Sequence, residues 1–153
     1  MSDLDALYRE LILDHSKHPQ HFGLSDEGDA PAASGRFGTS HQKNPVCGDE
    51  ITVRALVDGE TIADMRWEGR GCSISQASAS MLADLVAEEG LDRAQAVTLI
   101  EGFREALRSR GQLELDEEIY GDAAALSGVS KFSARVKCAM LAWVALEDAI
   151  AKA

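Results

Sequence analysis

Three cysteines and one aspartate carry the chemistry this sequence offers. In Asn44-Pro45-Val46-Cys47-Gly48-Asp49 a thiol and a carboxylate stand two residues apart around a glycine. Glycine tolerates a bend at no steric cost and proline stiffens the approach to it, so Cys47 and Asp49 can turn toward one point. Thiolate sulfur and carboxylate oxygen are both zinc ligands, at about 2.3 Å and about 2.1 Å. Two more donors complete a tetrahedron, and Cys72 and Cys138 are the remaining thiols. The candidate set is therefore Cys47, Asp49, Cys72 and Cys138. Free cysteine is also among the most buried residue types, and core packing has an equal claim on Cys72 or Cys138 taken singly. It has little claim on Cys47, which sits beside Gly and Asp in a turn.

The elements around these residues bring two of the three segments together. Glu50 to Val57 alternates apolar with polar residues and runs into Asp58-Gly59, a hairpin turn signal. The return strand is about Thr61 to Glu68, where Ile62, Met65 and Trp67 break strict alternation and imply a bulge. Antiparallel pairing then returns Cys72 to the Cys47 corner. Gly69-Arg70-Gly71-Cys72-Ser73-Ile74-Ser75 turns into a helix capped by Ser73 or Ser75 and running to about Glu89. Cys72 thereby lies at a helix N-terminus, where N–H groups and the dipole favour an anion. The early part of that helix, Gln76-Ala77-Ser78-Ala79-Ser80, is small on every side, as close approach of another backbone requires.

The remaining elements frame this centre. Leu4, Leu7, Tyr8, Leu11 and Ile12 predict an amphipathic helix from Asp3 to about Lys17, capped by Ser2 or Asp3 and ended by Pro19. His15, His18 and His21 follow at its C-terminal side, where protonated histidine suits the dipole better than a metal site suits their spacing. Residues from about Leu24 to Gly38 read as a surface loop, with a short strand around Arg36 to Gln42. Gly90 stops the second helix, and Asp92 caps a third running to about Ser109, with Val97, Ile100, Phe103, Ala106 and Leu107 on one face. Gly111 to Asp122 reads as an acidic loop, followed by a turn at Ala123 to Leu126. The last helix spans about Ala134 to Ala151, with Cys138 in its early turns and Val136, Met140, Trp143, Val144 and Leu146 on a broad apolar face.

Composition limits the function classes. The 153 residues fit one domain, and a hydrophobic fraction of 45% supports a real core. Only eight residues are aromatic, two Trp, two Tyr and four Phe, so aliphatic side chains must fill most of it. A net charge of −11 repels phosphate backbones and argues against nucleic-acid binding. No apolar run is long enough for a membrane span, and Met1-Ser2-Asp3 does not open a signal peptide; the expected location is cytoplasmic. Three cysteines in such a chain favour metal or sulfur chemistry over a disulfide framework. Lys131, Arg135 and Lys137, clustered before Cys138, are either solvated surface or a positive field that activates a thiol or receives an acidic partner.

Four segments in order carry a family likeness: Leu7-Tyr8-Arg9-Glu10-Leu11-Ile12-Leu13-Asp14-His15, Asn44 to Asp49, Glu68 to Ser75, and Gly128-Val129-Ser130-Lys131-Phe132-Ser133-Ala134-Arg135-Val136-Lys137-Cys138. Together they resemble the IscU/NifU N-terminal family of iron–sulfur cluster assembly proteins, and within it the SufU branch. The likeness covers nearly the whole chain, so residues 1–153 read as one IscU/SufU-like domain. It implies an α+β fold, a small three-stranded antiparallel sheet packed against helices on one side, with the metal site exposed at one end. It also implies the ligand set Cys47, Asp49, Cys72 and Cys138. Scaffold members of the family have a histidine directly before the third cysteine, where this chain has Lys137. The segment between Cys72 and Cys138 is also longer than in the scaffolds, and the helix from Asp92 to Ser109 looks like the SufU insertion.

These departures favour Zn2+ and a sulfur-shuttle role. In this reading Cys47 accepts persulfide sulfur from a PLP-dependent, SufS-like cysteine desulfurase and passes it to downstream iron–sulfur assembly proteins, a sulfurtransferase activity supported by Arg135 and Lys137. The alternatives are a scaffold that builds an iron–sulfur cluster on the same four ligands, and a structural zinc module.

Overall fold

A computed structural model describes residues 3–24, 35–45 and 48–153. Helix α1 (Asp3–Lys17) is followed by strands β1 (Arg36–Lys43), β2 (Glu50–Asp58) and β3 (Thr61–Arg70), then α2 (Ser73–Glu89) and α3 (Arg93–Arg108). A four-residue helix α4 (Glu117–Tyr120), a 3-10 segment (Gly121–Lys131) and α5 (Ser133–Lys152) complete the chain. The sheet is antiparallel in the order β1-β2-β3. Helices α5 and α2 lie against it, and α1 packs on α2. This is the α+β arrangement that the family likeness implies. Among the described residues no helix is long and apolar enough to cross a membrane.

The hairpin follows from its alternation. Ile51, Val53, Ala55 and Val57 are buried, while the residues between them reach the outer face. The anticipated irregularity lies where the register slips between Leu56 and Val57: Leu56 pairs with Asp64 and Val57 with Ile62, so Ala63 is the extra residue. That insertion lets Ile62 and Met65, three apart, both face the core. At the other end Glu50 pairs with Arg70, which fixes the strand ends that lead to Asp49 and Cys72.

Small residues set how closely α5 approaches. On β1, a Cβ at Gly38 would collide with the carbonyl oxygen of Ala149, so strand and helix touch backbone to backbone. On α2, Ser78 Oγ donates to the carbonyl of Ala139 at 2.6 Å and accepts from Trp143 Nε1 at 2.9 Å. The run of small residues on α2 therefore does serve a close helix crossing. Trp143 also stacks on Phe103 of α3, with ring centroids 3.7 Å apart.

Several local expectations are corrected. Neither Ser73 nor Ser75 caps α2; Cys72 is the N-cap residue and makes no side-chain cap bond. Asp92 caps α3 as expected, in a capping box with Gln95, but Val97 is exposed and Ala96 takes its place in the core. The stretch read as a loop from Gly111 contains α4, and the turn at Ala123 to Leu126 belongs to the 3-10 segment, where four consecutive residues are buried. Hydroxyls hold that segment: Ser127 donates to Ala124 O and Ser130 to Ser127 O, each at 2.8 Å. His15 does not lie on the surface at the end of α1. It is buried, with Nδ1 2.7 Å from Ser80 Oγ and Nε2 2.9 Å from Asp122 Oδ2, and so ties α1 to α2 and the 3-10 segment. The α1 cap and most of the loop after Leu24 lie outside the described residues.

Candidate metal centre

The site forms where the hairpin opens onto α2 and α5. The N–H of Asn44 donates to the carbonyl of Asp49 and the N–H of Gly48 to the carbonyl of Asn44, both at 2.8 Å, so the turn before β2 is closed by its own backbone. Gly48 takes a φ of 76°, which the glycine supplies without strain. Asp49 is 4% exposed. Its Oδ1 accepts the N–H of Cys72 at 3.1 Å, and Oδ2 lies 3.4 Å from Cys72 Sγ. One oxygen is thus fixed by backbone and the other turned to the thiol.

Gly71 makes that approach possible, since a Cβ there would sit 2.5 Å from Asp49 Oδ1 and 2.7 Å from Ser75 Oγ. Ser75 in turn donates to the carbonyl of Cys72 at 3.1 Å. Sequence reasoning named Asp49 and Cys72 but gave Gly71 and Ser75 no role at the site. The signal was the glycine directly before a cysteine at a helix start. Cys138 arrives from the second turn of α5, buried, with Sγ 3.7 Å from the carbonyl of Ala134.

The donor atoms of Asp49, Cys72 and Cys138 all lie within 4.8 Å of one another, and they form the one such group of metal-binding side chains among the described residues. Cys47 lies outside the described residues. Bonds of about 2.1 and 2.3 Å at tetrahedral angles place a carboxylate oxygen and a thiolate sulfur roughly 3.6 Å apart, close to the 3.4 Å between Asp49 Oδ2 and Cys72 Sγ. Closing the whole set takes movements on the order of 1 Å. The donors suit a thiophilic, four-coordinate ion, and the Cys72 N–H on Asp49 is the kind of outer bond that orients a ligating carboxylate.

Arg135 and Lys137 flank Cys138 in sequence but do not join it. Both are exposed and line different grooves. Arg135 lies with Phe132, Lys131 and Ile74 on the side of Cys72, and Lys137 with Met140 and Val144 on the side of α3. The three histidines do not converge either: His15 is buried as described, and His21 pairs with Asp84 at 3.4 Å. At the hairpin mouth Arg70 bonds the Glu50 carboxylate at 2.9 Å and holds it below the usual carboxylate range, helped by Lys43 and His41.

Residues 7–139 match the family model of the NifU-like N-terminal domain. The chain is 40% identical to the zinc-dependent sulfurtransferase SufU of Bacillus subtilis over 152 residues, covering 99% of this chain and 94% of the relative. It is 38% identical to the iron–sulfur cluster assembly scaffold protein IscU of Streptococcus pyogenes, covering 98% and 86%. A crystal structure from Fervidobacterium islandicum, described as a candidate iron–sulfur cluster assembly scaffold protein for the SUF system, superposes with a TM-score of 0.73 at 32% identity, over 92% of this chain and 94% of that one.

Proposed function

The chain belongs to the NifU-like N-terminal domain family, and on that premise we propose that it is a zinc-dependent sulfur acceptor and transfer protein of iron–sulfur cluster biogenesis. It works with a PLP-dependent cysteine desulfurase of the SufS kind and hands sulfur to downstream assembly proteins. The observation that carries this reading is the convergence of Asp49, Cys72 and Cys138 on one point, with Cys47 two residues before Asp49 in the sequence. The likeness to a relative named a zinc-dependent sulfurtransferase supports it.

Zinc, when bound, would keep the coordinating thiols deprotonated without adding a redox step of its own. Cys72 at the N-cap of α2 and Cys138 in α5 would hold the metal, and Asp49, kept in place by the Cys72 N–H, would be a hard anchor for it. Cys47 is the acceptor. Its thiolate attacks the terminal sulfur of the desulfurase persulfide; a sulfur–sulfur bond forms to Cys47, the one to the desulfurase cysteine breaks, and the electron pair leaves with that cysteine as thiolate. Arg135 and Lys137 would support the Cys47 thiolate or guide docking, aided by the exposed Phe132 beside Arg135.

The test supplies the desulfurase with radiolabelled cysteine and maps the label. Label on Cys47, absent from Cys47→Ser, is the expected result; a Cys47→Ser protein that still takes up label overturns the assignment. The scaffold-named relatives favour one second reading, assembly of a cluster on the same four ligands. Anaerobic reconstitution separates the two, because a scaffold forms a coloured cluster and passes it intact to an apo-protein.

A further inference from the structure

Positive charge in this chain is scarce, 15 Lys and Arg against 26 Asp and Glu, yet several of its cations ring one groove away from Cys72. The groove, about 310 Å³, lies between the C-terminal end of α3 and the outer stripe of α5. Its floor includes Val136, Met140 and Val144, which at i, i+4 and i+8 share one side of α5. Arg108, Arg110 and Lys137 stand on its rim and make no ion pair or side-chain hydrogen bond among the described residues. Arg104 is different: it is already engaged by Glu101 and by Glu147 at 3.0 Å. A second groove on the other side of the same stripe runs on to Lys43, Asn44 and Pro45.

We propose that this α5 groove docks an acidic amphipathic helix of a partner protein. Apolar side chains spaced along one face of that helix would cover the floor, and its carboxylates would meet Arg108, Arg110 and Lys137. Charge complementarity selects this occupant. A bare phosphate or nucleic acid would meet the rim cations but leave the apolar floor of Val136, Met140 and Val144 uncovered. The groove is distinct from the one lined by Arg135, Phe132 and Ile74, so a partner held here leaves the approach over Cys72 open. The inference stands on the groove and its charges, whichever metal or sulfur chemistry the centre performs.

The test uses the full chain with its metal and a short fluorescein-labelled helical peptide, with leucine at every third and fourth position and glutamate elsewhere, read by fluorescence anisotropy. Saturable binding is expected, weaker in high salt, and reduced about tenfold or more in Arg108→Glu/Arg110→Glu. Val144→Glu tests the floor independently and is expected to abolish binding. The double variant should keep its metal content and its stimulation of the desulfurase, which separates this proposal from the sulfur-shuttle reading. Three results would overturn it: unchanged affinity in the double variant, equal binding of a peptide with serine in place of leucine, or sedimentation showing that the groove joins two copies of the chain.

Discussion

At the turn end of the β2–β3 hairpin, Gly59 takes a φ of 64° and a Cβ there would meet nothing within 4 Å. At the site end of the same hairpin, Gly71 is hemmed in by the Asp49 carboxylate and Ser75. The first glycine serves the backbone and the second serves a neighbour. Beside them on β1, Gly38 serves the packing of α5. One residue type thus answers three demands, conformation, ligand clearance and helix approach, and the cost of adding a methyl group should differ accordingly.

The largest effect is expected at Gly38. A Cβ there meets the main-chain oxygen of Ala149, which no rotamer change can relieve. Gly38→Ala should lose about 3 kcal/mol or more, at or above the usual upper end of overpacking. Urea unfolding checks this, and a loss below that of Gly59→Ala would break the comparison. Gly71→Ala comes next and acts on the site rather than the fold. Displacing Asp49 should weaken metal binding by about 10–100-fold, the range for disturbing an outer support of a ligand. Competition with a chelator reads it, and unchanged affinity would mean that the Asp49 carboxylate is not held by this packing.

Gly59→Ala should cost only about 1 kcal/mol, the strain of a left-handed alanine in open space, and leave metal affinity alone. The smallest effect concerns the seam that Gly38 permits. Asp148 of α5 is held below the usual carboxylate range, chiefly by its hydrogen bond from Lys152, at 2.9 Å, and then by one from Ser40 of β1. The contribution is present above the unfolded carboxylate pKa, about 3.9, and is lost as pH falls through the lower folded value. Lys152→Ala should therefore narrow slightly the stability difference between neutral pH and pH 3. An identical pH profile would show the pair to be inert.

The same contrast explains what could be read without coordinates. The hairpin was legible because strand alternation and Asp58-Gly59 are local signals, and they place Cys72 beside Asp49 through the pairing of Glu50 with Arg70. Cys138 reaches Asp49 and Cys72 because α5 lies on β1 and β2, and only counting and family likeness pointed to that. The 3-10 segment was missed because its buried alanines show no helical period, and its support comes from the hydroxyls of Ser127 and Ser130. His15 was misplaced for a related reason: its partners Ser80 and Asp122 are 65 and 107 residues away. Arg135 and Lys137 were grouped by sequence, whereas the rotation of α5 between them turns the two side chains into separate grooves.

The central claim is that Asp49, Cys72 and Cys138, with Cys47, form a metal centre through which the chain takes up sulfur. Zinc content of the purified chain, measured for the wild type and for Cys72→Ser and Cys138→Ser, tests it most directly. A single zinc per wild-type chain, lost from both variants with the chain still folded, is the predicted result. Variants that keep their zinc, or a wild type that binds none, would contradict it.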